Sequence, residues 1–158
     1  MVLRSRVELA DPSGQIKKNA YQAARSLDPA AAADLVEAAE RIAAEQASAA
    51  IERTVREAME EGADVRFCAV VVGASNAPPL ESILRSHALA HAAEGRLYQG
   101  ALLHGAEACG LDAVAVPRQS LSGHAELRQW VEGLRGELGP PWAEDQKLAA
   151  LAARISLA

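Results

Sequence analysis

Apolar residues recur along the chain at two spacings, which predict strands and helices in different places. Apolar and polar residues alternate from Val2 to Ala10, which indicates a strand closed by a turn at residues 11–14. Residues 66–72 form an almost wholly apolar run, typical of a strand that is buried on both faces at the centre of a sheet. Residues 112–116 form a second short apolar run. We therefore expect a sheet of a few strands.

Helical spacing covers most of the remaining chain. It predicts helices at about residues 16–27, 29–61, 80–86, 87–109, 124–138 and 143–155. Asp28 and Pro29 are a helix N-cap and a first-turn proline, and Gly110 is a typical residue just beyond a helix end. Helices between residues 72 and 112 make the two flanking strands a parallel crossover unit.

The long helix over residues 29–61 carries apolar residues on two roughly opposite faces. Leu35 and Ile42 share one face, whereas Ile51 and Val55 lie on the other. Either the helix breaks near residues 46–48 or both of its faces are covered. In the second case we expect a homodimer formed through this helix.

Composition supports a single α/β domain over residues 1–158, with a small, partly parallel central sheet flanked by helices. The chain is 50% hydrophobic but only 3% aromatic, which favours helices packed on a small sheet. A net charge of −5 argues against nonspecific nucleic-acid binding, although not against an enzyme that meets phosphate at its active site. Two lone cysteines indicate a reduced, cytoplasmic protein, and we expect no association with membranes.

One helical stripe carries most of the chemistry in the sequence. His87, His91, Glu94 and Tyr98 fall within about 60° of each other around a helix. Two imidazoles and a carboxylate on one face can bind a divalent metal or act in acid–base catalysis. The alternative is structural, with the histidines hydrogen-bonded inside a helix–sheet interface and Tyr98 packed beside them.

Two further segments carry candidate ligand-binding residues. Ser75 and Asn76 follow the apolar run at 66–72, where α/β sheets bind ligands, although both residue types also suit a helix cap or turn. Asp145 and Lys147 lie in the first turn of the last helix, behind a rigid Pro-Pro-Trp entry. That entry would position the Asp145 carboxylate, but the helix dipole alone also favours an acid there.

The order strand (66–72), helix, strand (112–116), helix and final helix resembles the second half of a ribonuclease H-like fold, over roughly residues 64–158. It is most similar to the bacterial Holliday-junction resolvase branch, whose last helix begins with a metal-binding aspartate ahead of an alanine- and leucine-rich run, and Asp145 matches that aspartate. The resemblance implies a divalent metal (Mg, Mn or Zn) and a nucleic acid or phosphate-containing substrate. The central strand ends here in Gly73 without the family's glutamate, so Glu94 and the histidines either replace the missing acids or the chain lacks nuclease activity.

Three functions follow, and the sequence leaves open whether the protein is an enzyme. In a metal-dependent nuclease or phosphodiesterase, Glu94, Asp145 and His91 would hold the metal, and His87 or His91 would act as general base. A non-catalytic module would act by self-association or partner binding. A small-molecule hydrolase or binding protein would have its pocket at Ser75 and Asn76.

Overall fold

The computed structural model describes residues 7–74 and 76–157. The fold is mixed α/β, as predicted, with a two-stranded parallel sheet flanked by helices. The helices are α1 (Ala20–Ala24), α2 (Pro29–Glu60), α3 (Leu80–Arg85), α4 (His87–Ala108), α5 (Ala125–Gly133), α6 (Arg135–Leu138) and α7 (Glu144–Ser156); the strands are β1 (Phe67–Val72) and β2 (Asp112–Pro117). A 3₁₀ segment, Arg118–Gly123, joins β2 to α5.

Local signals place the ends of the long helices where the sequence predicts them. The Asp28 side chain accepts hydrogen bonds from the backbone N–H groups of Ala30 and Ala31, each at 3.1 Å, and Pro29 is the first residue of α2. The helix then continues for 32 residues, with no break near residues 46–48. Gly110, with a φ of +73°, lies just after α4 in a conformation that glycine adopts without strain.

The sheet separates two layers of helices. β1 and β2 pair in parallel, with Phe67 opposite Asp112 and Val72 opposite Pro117. Ala69 and Val71 point into an apolar cluster formed with α5 and α7. Because side chains alternate along a strand, Cys68 faces the other way, where it lies near Cys109 at the end of α4. Helices α4 and α7 therefore cover opposite faces of β1.

Three sequence predictions differ from the structure. Residues 7–10 do not form a strand, and residues 1–6 of the predicted strand lie outside the described residues. The first helix begins only at Ala20, because the Asp11 carboxylate accepts hydrogen bonds from the backbone N–H groups of Ser13 and Ile16 and holds this segment in a turn. The helix predicted over 124–138 is divided at Leu134, next to the flexible Gly133, into α5 and α6.

The position of β1 is also different from the prediction. Within residues 7–74 and 76–157 the strand pairs with β2 alone, so it lies at an edge of the sheet and not at its centre. An apolar run reports that helices cover both faces of a strand, which is true here. The apolar run does not indicate how many other strands pair with that strand in the sheet.

The longest helices, α2 and α4, pack through small side chains. A Cβ atom added at Gly105 would lie 2.8 Å from the backbone nitrogen of Ser48 and 3.1 Å from the Ala47 Cβ, so the two backbones approach closely at this point. Ile51 and Val55, on the other predicted face of α2, are half-buried within the described chain. The homodimer through this helix stays a prediction. No helix in the described part of the chain has a stretch long and apolar enough to cross a bilayer.

Candidate functional site

The predicted stripe on α4 lies against the N-terminal part of the chain. The Nε2 atoms of His87 and His91 are 3.0 Å apart, and the two rings meet edge to face with centroids 4.4 Å apart. The Nδ1 atom of His87 lies 3.0 Å from the amide oxygen of Gln22. The network is satisfied when His87 donates from Nδ1 to Gln22 and accepts at Nε2 from His91.

Glu94 is the only charged residue in the described part of the chain that is buried, at 8% exposure. Its Oε1 atom accepts a hydrogen bond from the backbone N–H of Gln22 at 3.2 Å, while its buried Oε2 has no partner among the described residues. Burial raises the pKa of this carboxyl, and hydrogen bonds from the backbone of Gln22, Tyr21 and Ala20 together with the nearby His91 oppose that rise. Asn19 provides no side-chain cap for α1, and the Glu94 carboxylate accepts from the N–H of Gln22 in the first turn of that helix in its place.

Further polar contacts join the same two segments. The Tyr98 hydroxyl donates to the carbonyl of Lys18 at 2.8 Å. The Gln22 side chain donates to the carbonyl of His87 at 3.2 Å, and Arg25 donates to the carbonyl of Leu84, in the preceding helix α3, at 3.0 Å. We call this contact, formed by residues 18–25 with the stripe on α4, the α1–α4 seam. His87 and His91 stay exposed at this seam and contact residues 18–25 rather than the sheet, so the structural alternative and a catalytic role of His87, His91 and Glu94 both stay predictions.

Asp145 and Lys147 lie in the other helix layer, at the start of α7. The Asp145 carboxylate is 3.3 Å from the Arg118 guanidinium, and its side chain is 89% exposed. Lys147 pairs with Glu132 at 2.7 Å. Because α4 and α7 cover opposite faces of β1, the structure does not place Asp145 in the stripe that holds Glu94. Residues 7–74 and 76–157 contain no group of three or more His, Cys, Asp or Glu side chains that could hold a metal ion.

The segment after β1 is only partly described. Ser75 lies outside the described residues, and Asn76 is exposed. Two residues before Ser75, the backbone N–H of Gly73 donates to the side-chain oxygen of Gln99 on α4, at 3.3 Å. The end of β1 is thus attached to α4, next to the position where the sequence predicts a pocket.

A large cleft begins at this point and runs along β1. It has a volume of about 1380 Å³, and its lining includes six consecutive residues, Cys68–Gly73. One wall comes from α4, with Tyr98 and Gln99, and the other comes from α7, with Leu148 and Ala153. We call it the edge cleft. The stripe residues His87, His91 and Glu94 do not line it.

The two tryptophans of the chain lie in the lining of the edge cleft. Trp130 and Trp142 both line it, although the chain is only 3% aromatic. Trp142 is held in place by a hydrogen bond from its indole N–H to the carbonyl of Val131 at 3.0 Å. Trp130 is 42% exposed, and the Arg154 guanidinium lies 6.0 Å from the centre of its ring.

Four residues of the edge cleft were not predicted as site residues from the sequence: Gln99, Arg118, Trp130 and Arg154. One signal was present, because two tryptophans stand within twelve residues of each other in a chain that has few aromatic residues. A cleft formed by aromatic side chains with a few polar groups is a common form of ligand site. Comparison of the chain with protein-family models, with characterised proteins and with solved structures found no match.

Proposed function

We propose that the protein is a binding protein whose ligand lies in the edge cleft and combines an apolar body with an anionic group. This is the third of the functions considered from the sequence, with its pocket extended from the end of β1 back along the strand to Cys68. The observation that carries it is the lining: two tryptophans and the apolar face of α7 beside a guanidinium.

The charges in the cleft support an anionic ligand. Its charged lining residues are Arg118, Asp145 and Arg154. Asp145 is already next to Arg118 at 3.3 Å, which leaves Arg154 as the unbalanced charge. Arg154 lies beside the Trp130 ring, so a ligand that stacks on the indole would place its anionic group near the guanidinium.

A pair of fluorescent probes tests this proposal. 1-Anilinonaphthalene-8-sulfonate carries an anionic group, and N-phenyl-1-naphthylamine has a similar apolar body without it. We expect Trp130→Ala to weaken the binding of both probes, by roughly tenfold. We expect Arg154→Ala to weaken the sulfonate alone, by about threefold, because the pair is partly exposed to water.

Two variants serve as matched controls. Met59→Ala removes an exposed apolar side chain that is not part of the edge cleft, and Arg128→Ala removes an exposed arginine from α5. Both should bind the probes like the parent protein. Equal losses in the controls and in the cleft variants, or no saturable binding by the parent, would contradict the proposal.

The convergence of His87 and His91 favours a second candidate, the metal-dependent phosphodiesterase with a ribonuclease H-like fold. Two imidazole nitrogens 3.0 Å apart could both contact one divalent ion, with Glu94 as a carboxylate ligand from the same stripe. Asp145, the other expected ligand, would have to approach from the start of α7, where it lies beside Arg118. The substrate of this phosphodiesterase would be a nucleic acid or another phosphate ester.

Thermal unfolding with added metal tests this candidate. Mg²⁺, Mn²⁺ or Zn²⁺ should raise the melting temperature of the parent, and the increase should disappear in the variant with Glu94→Ala and Asp145→Ala. The metal-dependent increase is compared within each protein, because Glu94→Ala changes stability by itself. An absence of any increase in the parent would contradict the metal site.

Both candidates fit a protein of the reducing cytoplasm. Cys68 and Cys109 are free thiols, and burial, with a smaller contribution from Cys109, raises the pKa of Cys68. A protonated, half-buried thiol is slow to react. The cytoplasmic location is part of the proposal.

A further inference from the structure

We infer that the ligand of the edge cleft is an extended segment of a partner protein, mainly apolar with an acidic side chain, which pairs with β1 as a third strand. This inference rests on the proposed function and names the chemical class of its ligand.

The outer edge of β1 presents backbone groups at the spacing of a strand. The Asp112 N–H donates to the carbonyl of Arg66 at 3.1 Å, so residue 66 faces β2. In a parallel ladder every second residue faces the same neighbour, which turns Phe67, Ala69 and Val71 to the opposite edge. For the N–H groups of these three residues, the described chain provides no hydrogen-bond acceptor.

Gly73 shows that this edge faces the cleft. It follows the same alternation, and its N–H is bonded to Gln99, which lines the cleft. The side-chain oxygen of Gln99 therefore accepts, at Gly73, the hydrogen bond that a backbone carbonyl of a neighbouring strand would otherwise accept. A ligand without a peptide backbone could not repeat that contact at successive residues along the strand.

The walls and the dimensions of the cleft favour one extended chain. Residues of both α4 and α7 line the cleft, so a segment bound in it would contact both helices, as β1 itself does. Six residues of extended chain span about 20 Å, which matches the six consecutive lining residues Cys68–Gly73, five of which belong to β1. The volume of about 1380 Å³ exceeds the roughly 300–1000 Å³ of most small-molecule pockets.

The same walls argue against direct pairing of two copies of this chain. In such a dimer the helices α4 and α7 that wall the cleft of each copy would also have to be accommodated beside the paired β1 edges. A single peptide segment has no such helices. We assign the bound segment an acidic side chain because it would pair with the Arg154 guanidinium, which lies beside the Trp130 ring.

The peptide acetyl-LDAVAV-amide is a suitable probe, because it has the sequence of residues 111–116. These residues include most of β2, which already pairs with β1 at its other edge, and they contain one acidic side chain. The measurement is amide hydrogen exchange of the full chain by NMR, with and without saturating peptide. The control peptide has the same sequence with N-methyl groups at alternate residues, so it cannot form the ladder.

We expect the peptide to slow the exchange of the Ala69 and Val71 N–H groups in the cleft lining, and of Phe67 immediately before it, by about tenfold or more, since each would gain a hydrogen bond. The N–H groups of Cys68, Val70 and Val72 face β2 and are the internal control. The N-methylated peptide should cause no slowing. The variant Ala69→Pro removes one outer donor and keeps the ladder to β2, so it should bind the peptide roughly tenfold more weakly.

The possible outcomes separate this inference from the proposed function. If the anilinonaphthalene probe binds and depends on Trp130, but the peptide leaves the exchange of the three N–H groups unchanged, the inference is wrong and the binding function stands. Equal slowing by the N-methylated peptide also overturns it. If neither probe nor peptide binds, both proposals fall.

Discussion

Helix α4 takes part in two regions that differ in how their polar groups are satisfied. In the α1–α4 seam, His87, Gln22 and Tyr98 all have partners within the chain, and Glu94 accepts from the backbone of α1. In the edge cleft, the backbone of β1 presents N–H groups that the described chain does not pair. The stripe is engaged by residues 18–25, although its histidines stay exposed and the Oε2 atom of Glu94 has no partner among the described residues, whereas the edge cleft is defined by backbone and aromatic surface.

This difference suggests where function should be sought in the molecule. A stripe of histidine, glutamate and tyrosine attracts attention in a sequence, but such residues also satisfy one another and cap neighbouring helices. An unpaired strand edge leaves no signal in the amino-acid composition or in the spacing of residues, so the sequence does not predict it. Substitutions in the α1–α4 seam should therefore change stability, whereas substitutions in the edge cleft should change binding.

The largest loss of stability should come from Gly105→Ala, where α2 and α4 approach most closely. The new Cβ atom would lie 2.8 Å from a backbone atom, which cannot rotate away, so we expect a loss of about 3 kcal/mol in the free energy of unfolding. Gly100→Ala on the same helix is the control. Its Cβ atom would meet nothing within 4 Å, so it should gain up to about 1 kcal/mol from higher helix propensity. Urea unfolding of the two variants measures both effects, and equal stabilities would contradict this packing.

Truncation of Glu94 should have the next largest effect. Glu94→Ala leaves the Gln22 N–H in the first turn of α1 without its acceptor, and we expect a loss of about 1–2 kcal/mol in the free energy of unfolding. Glu107→Ala, an exposed position on the same helix, should change stability little. The affinity of the edge cleft for the anilinonaphthalene probe should not change in either variant. A loss of probe binding in the Glu94 variant would mean that the two regions are coupled.

Much of the fold was predictable because its signals are local. Asp28 and Pro29 start α2, Gly110 follows α4, and the helical spacing of His87 and Glu94 correctly predicted a shared face. The partner of that face was not predictable, because Gln22 is separated from Glu94 by 72 residues and carries no motif. The open edge of β1 was missed for a related reason. Its apolar run predicted helices on both faces, but strand neighbours depend on the whole chain.

A smaller effect should appear in the pH dependence of stability. The raised pKa of Glu94 means that the folded protein holds this proton more tightly than the unfolded chain does. The contribution of Glu94 to stability is therefore greatest at low pH, and it falls as the pH rises through its ordinary value of about 4.3 to its raised value in the folded state. Glu94→Gln removes this dependence.

The check is urea unfolding of both proteins from pH 4 to pH 7.5. The stability of the parent relative to Glu94→Gln should decrease as the pH rises, and Glu107→Gln provides the matched control. A relative stability that is constant or increases with pH would show that burial does not dominate the environment of this carboxyl.

The most direct test of the account is amide hydrogen exchange along β1 in the protein without any ligand. If the outer edge is open, the N–H groups of Phe67, Ala69 and Val71 exchange rapidly, whereas those of Cys68, Val70 and Val72, bonded to β2, exchange slowly. Slow exchange at all six positions would show that the outer edge is already paired, and it would contradict the open cleft on which both the binding function and the added strand depend.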